Sequence, residues 1–221
     1  MRTVVFDLDG TLADTSADLI AAANACFRAR GLGDLLDAGA DALTAFHGGR
    51  AMLRLGYGRI GHPEAEALTE ADYAPLLAHY GANICESTRL YPGAAEAVEA
   101  LRSAGFATAI CTNKPEGLAR RLVADLGIAG LFDALIGADT LPVRKPDPAP
   151  YAAAVAGAGG SVARSLLVGD TATDRETARA AGVPCVLVTF GPEGTGIARL
   201  APEALLDYYR DLPALSARLI V

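Results

Sequence analysis

The chain has 221 residues, which suits one domain or one domain that carries a modest insertion. Its formal charge of −7 and its scattered basic residues argue against nucleic-acid binding, which needs clustered lysine and arginine. No apolar stretch is long enough to span a membrane, and the N-terminus lacks the apolar segment of a signal peptide. We therefore expect a cytoplasmic protein that binds neither nucleic acid nor a membrane.

Short β-prone runs alternate with alanine-rich helical stretches along most of the chain. The first run, residues 2–6, stops at Asp7, a pattern typical of a buried parallel strand. Further strands are predicted at Phe106–Cys111, Ala134–Gly137, Ser165–Val168 and Pro184–Val188. Helices are predicted between them at Ala94–Ser103, Glu116–Leu126, Pro148–Ala156 and Ala172–Ala181. This alternation predicts the α/β class, with a doubly wound parallel sheet and helices on both faces.

Residues 15–85 interrupt this alternation, because they contain no convincing strand. Helices are predicted there at Ser16–Arg30, Ala38–Phe46, Arg50–Leu55 and Glu64–Tyr80. We expect this all-helical insert to form a small cap domain, whereas residues 1–14 and 86–221 form the core. Since the first strand leads directly into the insert, we expect the cap over the C-terminal ends of the strands, where open α/β sheets bind ligands.

Two residue types are informative through their placement. The four cysteines are widely spaced and form no CxxC pair, so we expect free thiols rather than disulfides or a zinc site. Only two of the 19 basic residues are lysines, Lys114 and Lys145, in a chain that otherwise uses arginine. Because lysine is rare in this chain, the positions of these two lysines are informative about their roles.

Carboxylate, hydroxyl and lysine side chains follow the predicted strands or lie in the loops between them. They are Asp7, Asp9, Thr112, Lys145, Asp170 and Asp174. Parallel strands direct such residues to one crevice, where grouped carboxylates repel each other unless they share a proton or a cation. Hard oxygen ligands select Mg²⁺, and a lysine opposite them supplies a compact positive charge for a phosphate. The combination favours phosphoryl transfer, with an aspartate as the nucleophile.

At four places the sequence resembles the haloacid dehalogenase-like hydrolases. The motifs are Asp7-Leu8-Asp9-Gly10-Thr11-Leu12-Ala13-Asp14, Ile110-Cys111-Thr112-Asn113-Lys114, Lys145-Pro146-Asp147-Pro148 and Val168-Gly169-Asp170-Thr171-Ala172-Thr173-Asp174. The resemblance covers nearly the whole chain and implies a Rossmann-like core. The insert resembles the helical cap of phosphoglycolate phosphatases and their relatives.

The resemblance implies a catalytic role for residues of the first three motifs. Asp7 is the expected nucleophile, and Asp9 is the expected acid for the leaving group and then the base for water. Thr112 and the backbone N–H of Asn113 are expected to bind phosphate oxygens. Lys145 is expected to steady both the nucleophile and the phosphate.

The resemblance also implies a magnesium site. Asp7 and Asp170 are expected to ligate Mg²⁺, together with the backbone carbonyl of Asp9. Asp174 is expected to hold the groups around the metal in place. Asp9 further separates chemistries within the family, because dehalogenase members lack an acid there: a halide leaves without a proton, whereas an alcohol does not.

Two basic residues remain open to more than one interpretation. Lys114 either contacts the substrate or caps the helix that follows it. Arg50, in the segment Phe46-His47-Gly48-Gly49-Arg50, either binds an anionic group of the substrate or is a solvated surface residue. No lysine lies between residues 12 and 90, which argues against the phosphonate-cleaving relatives, since these use a lysine of the cap.

We therefore predict a Mg²⁺-dependent phosphate monoester hydrolase that forms an aspartyl-phosphate and acts on a small phosphorylated metabolite, with 2-phosphoglycolate as the best candidate. A sugar phosphomutase like β-phosphoglucomutase, on the same scaffold, is the alternative. A non-enzymatic receiver domain also pairs Mg²⁺-binding acids with a phosphorylated aspartate, but it is shorter and has no helical insert. We expect a monomer or a weak homodimer.

Overall fold

The computed structural model describes residues 1–220, and the chain divides into two compact units. The first, here called the sheet unit, comprises Met1–Asp14 and Leu90–Val221. The second, called the helical unit, comprises Thr15–Arg89. Within residues 1–220, no helix combines the length and the apolar character that crossing a membrane requires.

The sheet unit is built on six parallel strands. In chain order the strands of the molecule are β1 (Arg2–Phe6), β2 (Ala13–Asp14), β3 (Arg89–Leu90), β4 (Phe106–Cys111), β5 (Ala134–Ile136), β6 (Ser165–Gly169), β7 (Cys185–Val188) and β8 (Ala204–Leu206). The main sheet has the order β5-β4-β1-β6-β7-β8, and β2 pairs with β3 in a separate two-stranded sheet. All pairings in the main sheet are parallel, which confirms the predicted α/β fold.

The α-helices are divided between the two units. The helical unit contains α1 (Ser16–Ala29), α2 (Ala42–Ala45), α3 (Gly49–Arg59) and α4 (Ala65–Ala82). The sheet unit contains α5 (Ala94–Ser103), α6 (Glu116–Asp125), α7 (Pro148–Gly157), α8 (Ala172–Ala181) and α9 (Leu212–Leu219). Short 3-10 helices lie at Ala129–Leu131, Val162–Arg164, Gly194–Leu200 and Tyr209–Asp211.

Burial of the central strands explains why the apolar runs of the sequence form them. Val4, Val5 and Phe6 in β1 are all fully buried, although neighbouring residues of a strand point to opposite faces. Both faces of the sheet are therefore covered, as expected for a parallel sheet flanked by helices. On one face Val5 and Leu167 pack in a cluster with Tyr151 of α7.

The order in which the chain adds strands to the sheet reverses at its centre, beside β1. From β1 the chain adds β4 and then β5 on one side, and after α7 it returns to place β6, β7 and β8 on the other side. Phe6 at the end of β1 pairs with Ile110 of β4 and with Val168 of β6. The C-terminal ends of these three strands are thus neighbours, and open α/β sheets bind ligands at such a place.

In the helical unit, α3 is longer than predicted. The prediction ended this helix at Leu55 because the following glycines indicated a joint, but α3 continues to Arg59. A Cβ atom at Gly56 would overlap the ring of Phe27 in α1. That ring also lies edge-on to Tyr57, with 5.0 Å between the ring centroids. The glycine therefore permits close packing of α1 against α3, and it does not end the helix.

The predicted helix at Ala38–Phe46 is wrong over its first part, because only Ala42–Ala45 is helical. The Asp37 carboxylate accepts hydrogen bonds from the N–H groups of Gly39 and Ala40, at 2.9 and 2.8 Å. The Asp41 carboxylate accepts one from the N–H of Asp37, at 2.8 Å. Such local bonds offer the backbone an alternative to the helix.

Two further features differ from the prediction. The helical unit extends to Arg89 rather than residue 85, and the Asp18 carboxylate of α1 accepts hydrogen bonds from the N–H groups of Ser87 and Thr88. The strand β8 was not predicted. Glu203, directly before β8, accepts a hydrogen bond from the N–H of Cys185 in β7, a contact that no local pattern reveals.

A buried carboxylate links three helices of the helical unit. Arg30 donates to both oxygens of Asp72, at 2.8 and 2.6 Å, and the Tyr57 hydroxyl also donates to Asp72. Burial alone would raise the pKa of Asp72, but the hydrogen bonds from Arg30 and Tyr57 outweigh it and hold this pKa below its ordinary value of 3.8. The ionised form is therefore favoured in the folded protein.

We predict that Asp72→Asn lowers the free energy of unfolding at pH 7 by about 1–3 kcal/mol, because it removes a charged partner from two donors. A folded-state pKa below the unfolded one stabilises the fold above pH 3.8, and this contribution disappears as the pH falls through the lower, folded-state value. The difference between wild type and variant should shrink accordingly in acid. Urea unfolding followed by circular dichroism at several pH values measures it.

Asp34→Asn is the matched control. Asp34 pairs with Arg28, but both side chains of that pair are more than half exposed, so the substitution should cost less than about 1 kcal/mol. Equal losses in the two variants would show that burial of Asp72 does not matter.

Candidate active site

Three buried aspartates meet at the C-terminal ends of β1 and β6. Asp7 follows β1, Asp170 follows β6, and Asp174 lies in the first turn of α8. One carboxylate oxygen of each lies within 4.8 Å of the others. The N–H of Asp7 donates to the carbonyl of Val168 at 2.9 Å, so β-sheet pairing continues up to the first of these acids. Sheet geometry therefore fixes the backbone of the cluster.

Lys145 bridges two of these acids. Its Nζ lies 3.0 Å from Oδ2 of Asp7 and 2.6 Å from Oδ1 of Asp174, and its side chain is only 1% exposed. Burial alone would lower the pKa of Lys145, but the charges of Asp174 and Asp7 outweigh this and raise the pKa. The lysine therefore remains a cation inside the protein.

Two of these acids, Asp7 and Asp170, resist ionisation. Burial, opposed by Lys145 and reinforced by the charges of Asp174 and Asp9, raises the pKa of Asp7 from 3.8 to about 6. Burial, with the charges of Asp174 and Asp7, raises the pKa of Asp170 well above 3.8. A divalent cation between these oxygens would relieve the repulsion, and oxygen donors are the ligands that hard cations prefer. The residues thus fit a divalent metal ion.

Asp170 is oriented by the loop that follows β1. The Thr11 hydroxyl donates to Oδ1 of Asp170 at 2.7 Å. Gly10 has a φ of +78°, and a Cβ atom there would overlap the Asp170 carboxylate. The Tyr209 hydroxyl donates to the carbonyl of Thr11 at 2.6 Å. From the sequence Tyr209 was expected only to pack a C-terminal helix against the sheet, and no separate role was predicted for Thr11. Thr11 lies within the first motif, but no local signal connects it with Tyr209.

Asp174 is bound through both carboxylate oxygens. Oδ1 accepts from Lys145, and Oδ2 accepts from the N–H groups of Asp170 and Thr171 and from the Thr171 hydroxyl. Thr171 and Asp174 also form the capping box at the start of α8. This arrangement suits a residue that holds Lys145 and the Asp170 loop in place.

The second motif contributes a buried threonine and two residues that contact other motifs. Thr112 follows β4, and its N–H donates to the carbonyl of Ile136 at 3.0 Å. The Asn113 side chain donates to the Lys145 carbonyl at 3.0 Å. From the sequence only the backbone N–H of Asn113 was expected to have a role, and the bond from its side chain to the lysine loop was not predicted.

Lys114 forms an ion pair with Asp9. Its Nζ is 2.7 Å from Oδ1 of Asp9, and the lysine side chain is 4% exposed whereas that of Asp9 is 17% exposed. The Lys114 N–H also donates to the Thr112 hydroxyl oxygen at 3.1 Å. Both lysines of the chain are thus buried beside aspartates of the first motif.

Arg50 lies in the other unit, at the start of α3. Its Nε donates to the Glu70 carboxylate at 2.8 and 3.0 Å, and its guanidinium lies 3.6 Å from the centroid of the Tyr73 ring. The hydrogen bond to Glu70 raises the pKa of Arg50. The sheet unit therefore brings together all the predicted site residues except Arg50.

Several known proteins are similar to the chain over nearly its whole length. The phosphoglycolate phosphatase of Mesorhizobium japonicum is 39% identical to the chain, with 98% of this chain and 96% of that protein covered. The phosphoglycolate phosphatase of Agrobacterium fabrum is 40% identical, with 98% and 93% covered. A crystal structure of a predicted phosphoglycolate phosphatase from Haemophilus somnus superimposes with a TM-score of 0.81 at 28% identity, covering 98% of each chain.

The family match covers the residues that build the site. Residues 1–182 match the haloacid dehalogenase-like hydrolases, a range that includes all four motifs. This match, together with the relatives above, confirms the resemblance seen in the sequence. The chain belongs to the haloacid dehalogenase-like hydrolase family.

Proposed function

We propose that the protein is a Mg²⁺-dependent phosphatase that hydrolyses a small phosphate monoester through an aspartyl-phosphate on Asp7. The observation that carries this proposal is the buried group formed by Asp7, Asp170 and Lys145. It combines a carboxylate nucleophile, a lysine 3.0 Å away and further oxygen donors for a cation. This is the set of groups that phosphoryl transfer requires.

In the first step an oxygen of Asp7 attacks phosphorus, and the bond from phosphorus to the alcohol oxygen breaks. Lys145 offsets negative charge on the nucleophile and on the phosphate. Asp9 gives its proton to the leaving oxygen. Mg²⁺, held by Asp7, Asp170 and the backbone carbonyl of Asp9, would supply the positive charge that lets an anionic nucleophile approach an anionic phosphate.

In the second step water attacks the aspartyl-phosphate. Asp9, now ionised, takes a proton from that water, the bond between phosphorus and Asp7 breaks, and inorganic phosphate leaves. The Thr112 hydroxyl and the N–H of Asn113 bind the phosphate oxygens in both steps. Asp174 holds Lys145 and the loop of Asp170 in position throughout.

The substrate we propose is 2-phosphoglycolate, in the cytoplasm. Support for this substrate comes from the relatives named phosphoglycolate phosphatase, which are 39% and 40% identical over nearly the whole chain. Asp9 supports an ester over a halide, since an alcohol leaving group needs a proton.

We predict that Asp7→Asn reduces kcat/KM for 2-phosphoglycolate by at least about 10³-fold, because an amide is a poor nucleophile. Phosphate release from a panel of esters, with Mg²⁺ and with EDTA, measures the effect and identifies the preferred ester. EDTA should abolish turnover by the wild type.

Asp147→Asn is the control for Asp7→Asn. The Asp147 carboxylate caps α7 by accepting from the N–H of Ala149 at 2.8 Å, and asparagine can cap in the same way. Its activity should match the wild type. Full activity of Asp7→Asn would rule out the covalent route, and isomerisation of glucose 1-phosphate without phosphate release would indicate a phosphomutase.

Arg50 is proposed as a residue that binds the carboxylate of the substrate, on the basis of its position after Gly48-Gly49. We predict that Arg50→Ala raises KM for 2-phosphoglycolate about tenfold or more, because the substrate would lose one hydrogen bond to a charged group. KM for p-nitrophenyl phosphate, which has no carboxylate, should not change. Steady-state kinetics on the two esters measure this difference.

Arg54→Ala is the matched control for Arg50→Ala. Arg54 is on the same helix and pairs with Glu66 as Arg50 pairs with Glu70, and both pairs are exposed. This variant should leave both KM values unchanged. Unchanged kinetics in Arg50→Ala would show that Arg50 does not bind the substrate and is a surface residue paired with Glu70.

A further inference from the structure

Lys114 is a buried cation that the proposed mechanism does not use. Arginine supplies all but two of the 19 basic residues, and both exceptions are buried against aspartates of the first motif. Lys145 contacts Asp7 and Asp174, whereas Lys114 contacts Asp9. Burying an ammonium group without a partner is unfavourable, so the contact with the Asp9 carboxyl group helps to stabilise Lys114 in its buried position.

The backbone of Lys114 is fixed on both sides. Its N–H donates to the Thr112 hydroxyl oxygen at 3.1 Å, and its carbonyl accepts from the N–H of Ala138 at 2.9 Å. The side chain thus extends from a backbone held between the ends of β4 and β5. A long side chain that starts from a fixed point and is itself buried has few alternative rotamers, so it can define the position of its partner.

The two side chains of this ion pair differ in their exposure to solvent. The Asp9 side chain is 17% exposed and that of Lys114 only 4%, so the carboxyl group is the part of the pair that solvent or a substrate can reach. An ammonium is a compact point charge, whereas the planar fork of an arginine would tend to engage both oxygens of a carboxylate. Lysine here holds Asp9 through Oδ1 at 2.7 Å.

We propose that Lys114 is a positioning residue for proton transfer: it fixes the Asp9 carboxyl group at the place where the leaving oxygen of the ester develops charge. This inference rests on the proposed function, in which Asp9 gives its proton to that oxygen while the bond to phosphorus breaks. Lys114 keeps its own protons and does not touch the phosphate.

The leaving group decides how much this positioning matters. An alkyl phosphate releases a strongly basic alkoxide that needs the proton of Asp9, whereas p-nitrophenolate is a weak base and leaves without one. A positioned acid contributes about 10²–10⁴-fold to a step that needs it. A residue that binds the phosphate, or that only maintains the fold, would affect both esters alike.

The test uses the full chain with Mg²⁺ and follows the first turnover, so that release of the alcohol is separated from hydrolysis of the aspartyl-phosphate. Lys114→Met should slow glycolate release from 2-phosphoglycolate by about 100-fold, and should change p-nitrophenol release from p-nitrophenyl phosphate by less than about threefold. In an Asp9→Asn background the same substitution should cause no further loss with 2-phosphoglycolate.

Two variants serve as controls. Arg120→Met removes an exposed cation of α6 that pairs with Glu116, and it should leave both rates unchanged. Lys114→Arg keeps the buried charge but alters the contact, so it should give a smaller loss that is again confined to the alkyl ester. If Lys114→Met does not fold, Lys114→Arg still tests the positioning role.

Equal losses with both esters, a change in KM alone or no loss would each overturn the positioning role. A wild type that releases phosphate from no ester would instead overturn the proposed function, and the positioning role with it. These results are distinguishable, because the wild-type rates are measured first.

Discussion

Repulsion among buried carboxylates is the constraint on which the rest of this site depends. Asp7, Asp170 and Asp174 have oxygens within 4.8 Å of one another, and Asp9 follows two residues after the first of them. If Asp7, Asp170 and Asp174 were all ionised they would carry three negative charges, of which Lys145 offsets one, and the remaining two equal the charge of one divalent cation. The raised pKa values of Asp7 and Asp170 express the same imbalance. A site that holds such charges together must be built on a rigid support.

The support is the centre of the parallel sheet. Because β1 lies between β4 and β6, the three loops that carry the acids and Thr112 leave neighbouring strands. Side-chain bonds between loops then complete the alignment: Thr11 holds Asp170, and Asn113 holds the loop of Lys145. Strand burial supplies the stability, and these bonds fix the positions of the charged groups.

Much of this architecture could be predicted from the sequence, for a physical reason. The buried strands are short apolar runs that end at polar residues, so both their bounds and the side chains that follow them are visible locally. The prediction of α3 was wrong because a glycine that admits the ring of Phe27 has the same local signature as a glycine that ends a helix. The strand β8 and the bond from Tyr209 to Thr11 depend on contacts between distant segments, and no local pattern contains them.

The burial of both lysines has a practical consequence for chemical labelling. Lys114 and Lys145, the two lysines of the sequence, are only 7% and 3% exposed as whole residues, so amine-directed reagents in solution have little access to either side chain in the folded protein. Acylating dyes and amine-directed cross-linkers should therefore leave both lysines of the site unmodified. Any modification of a lysine would then report that the packing around the site aspartates had opened.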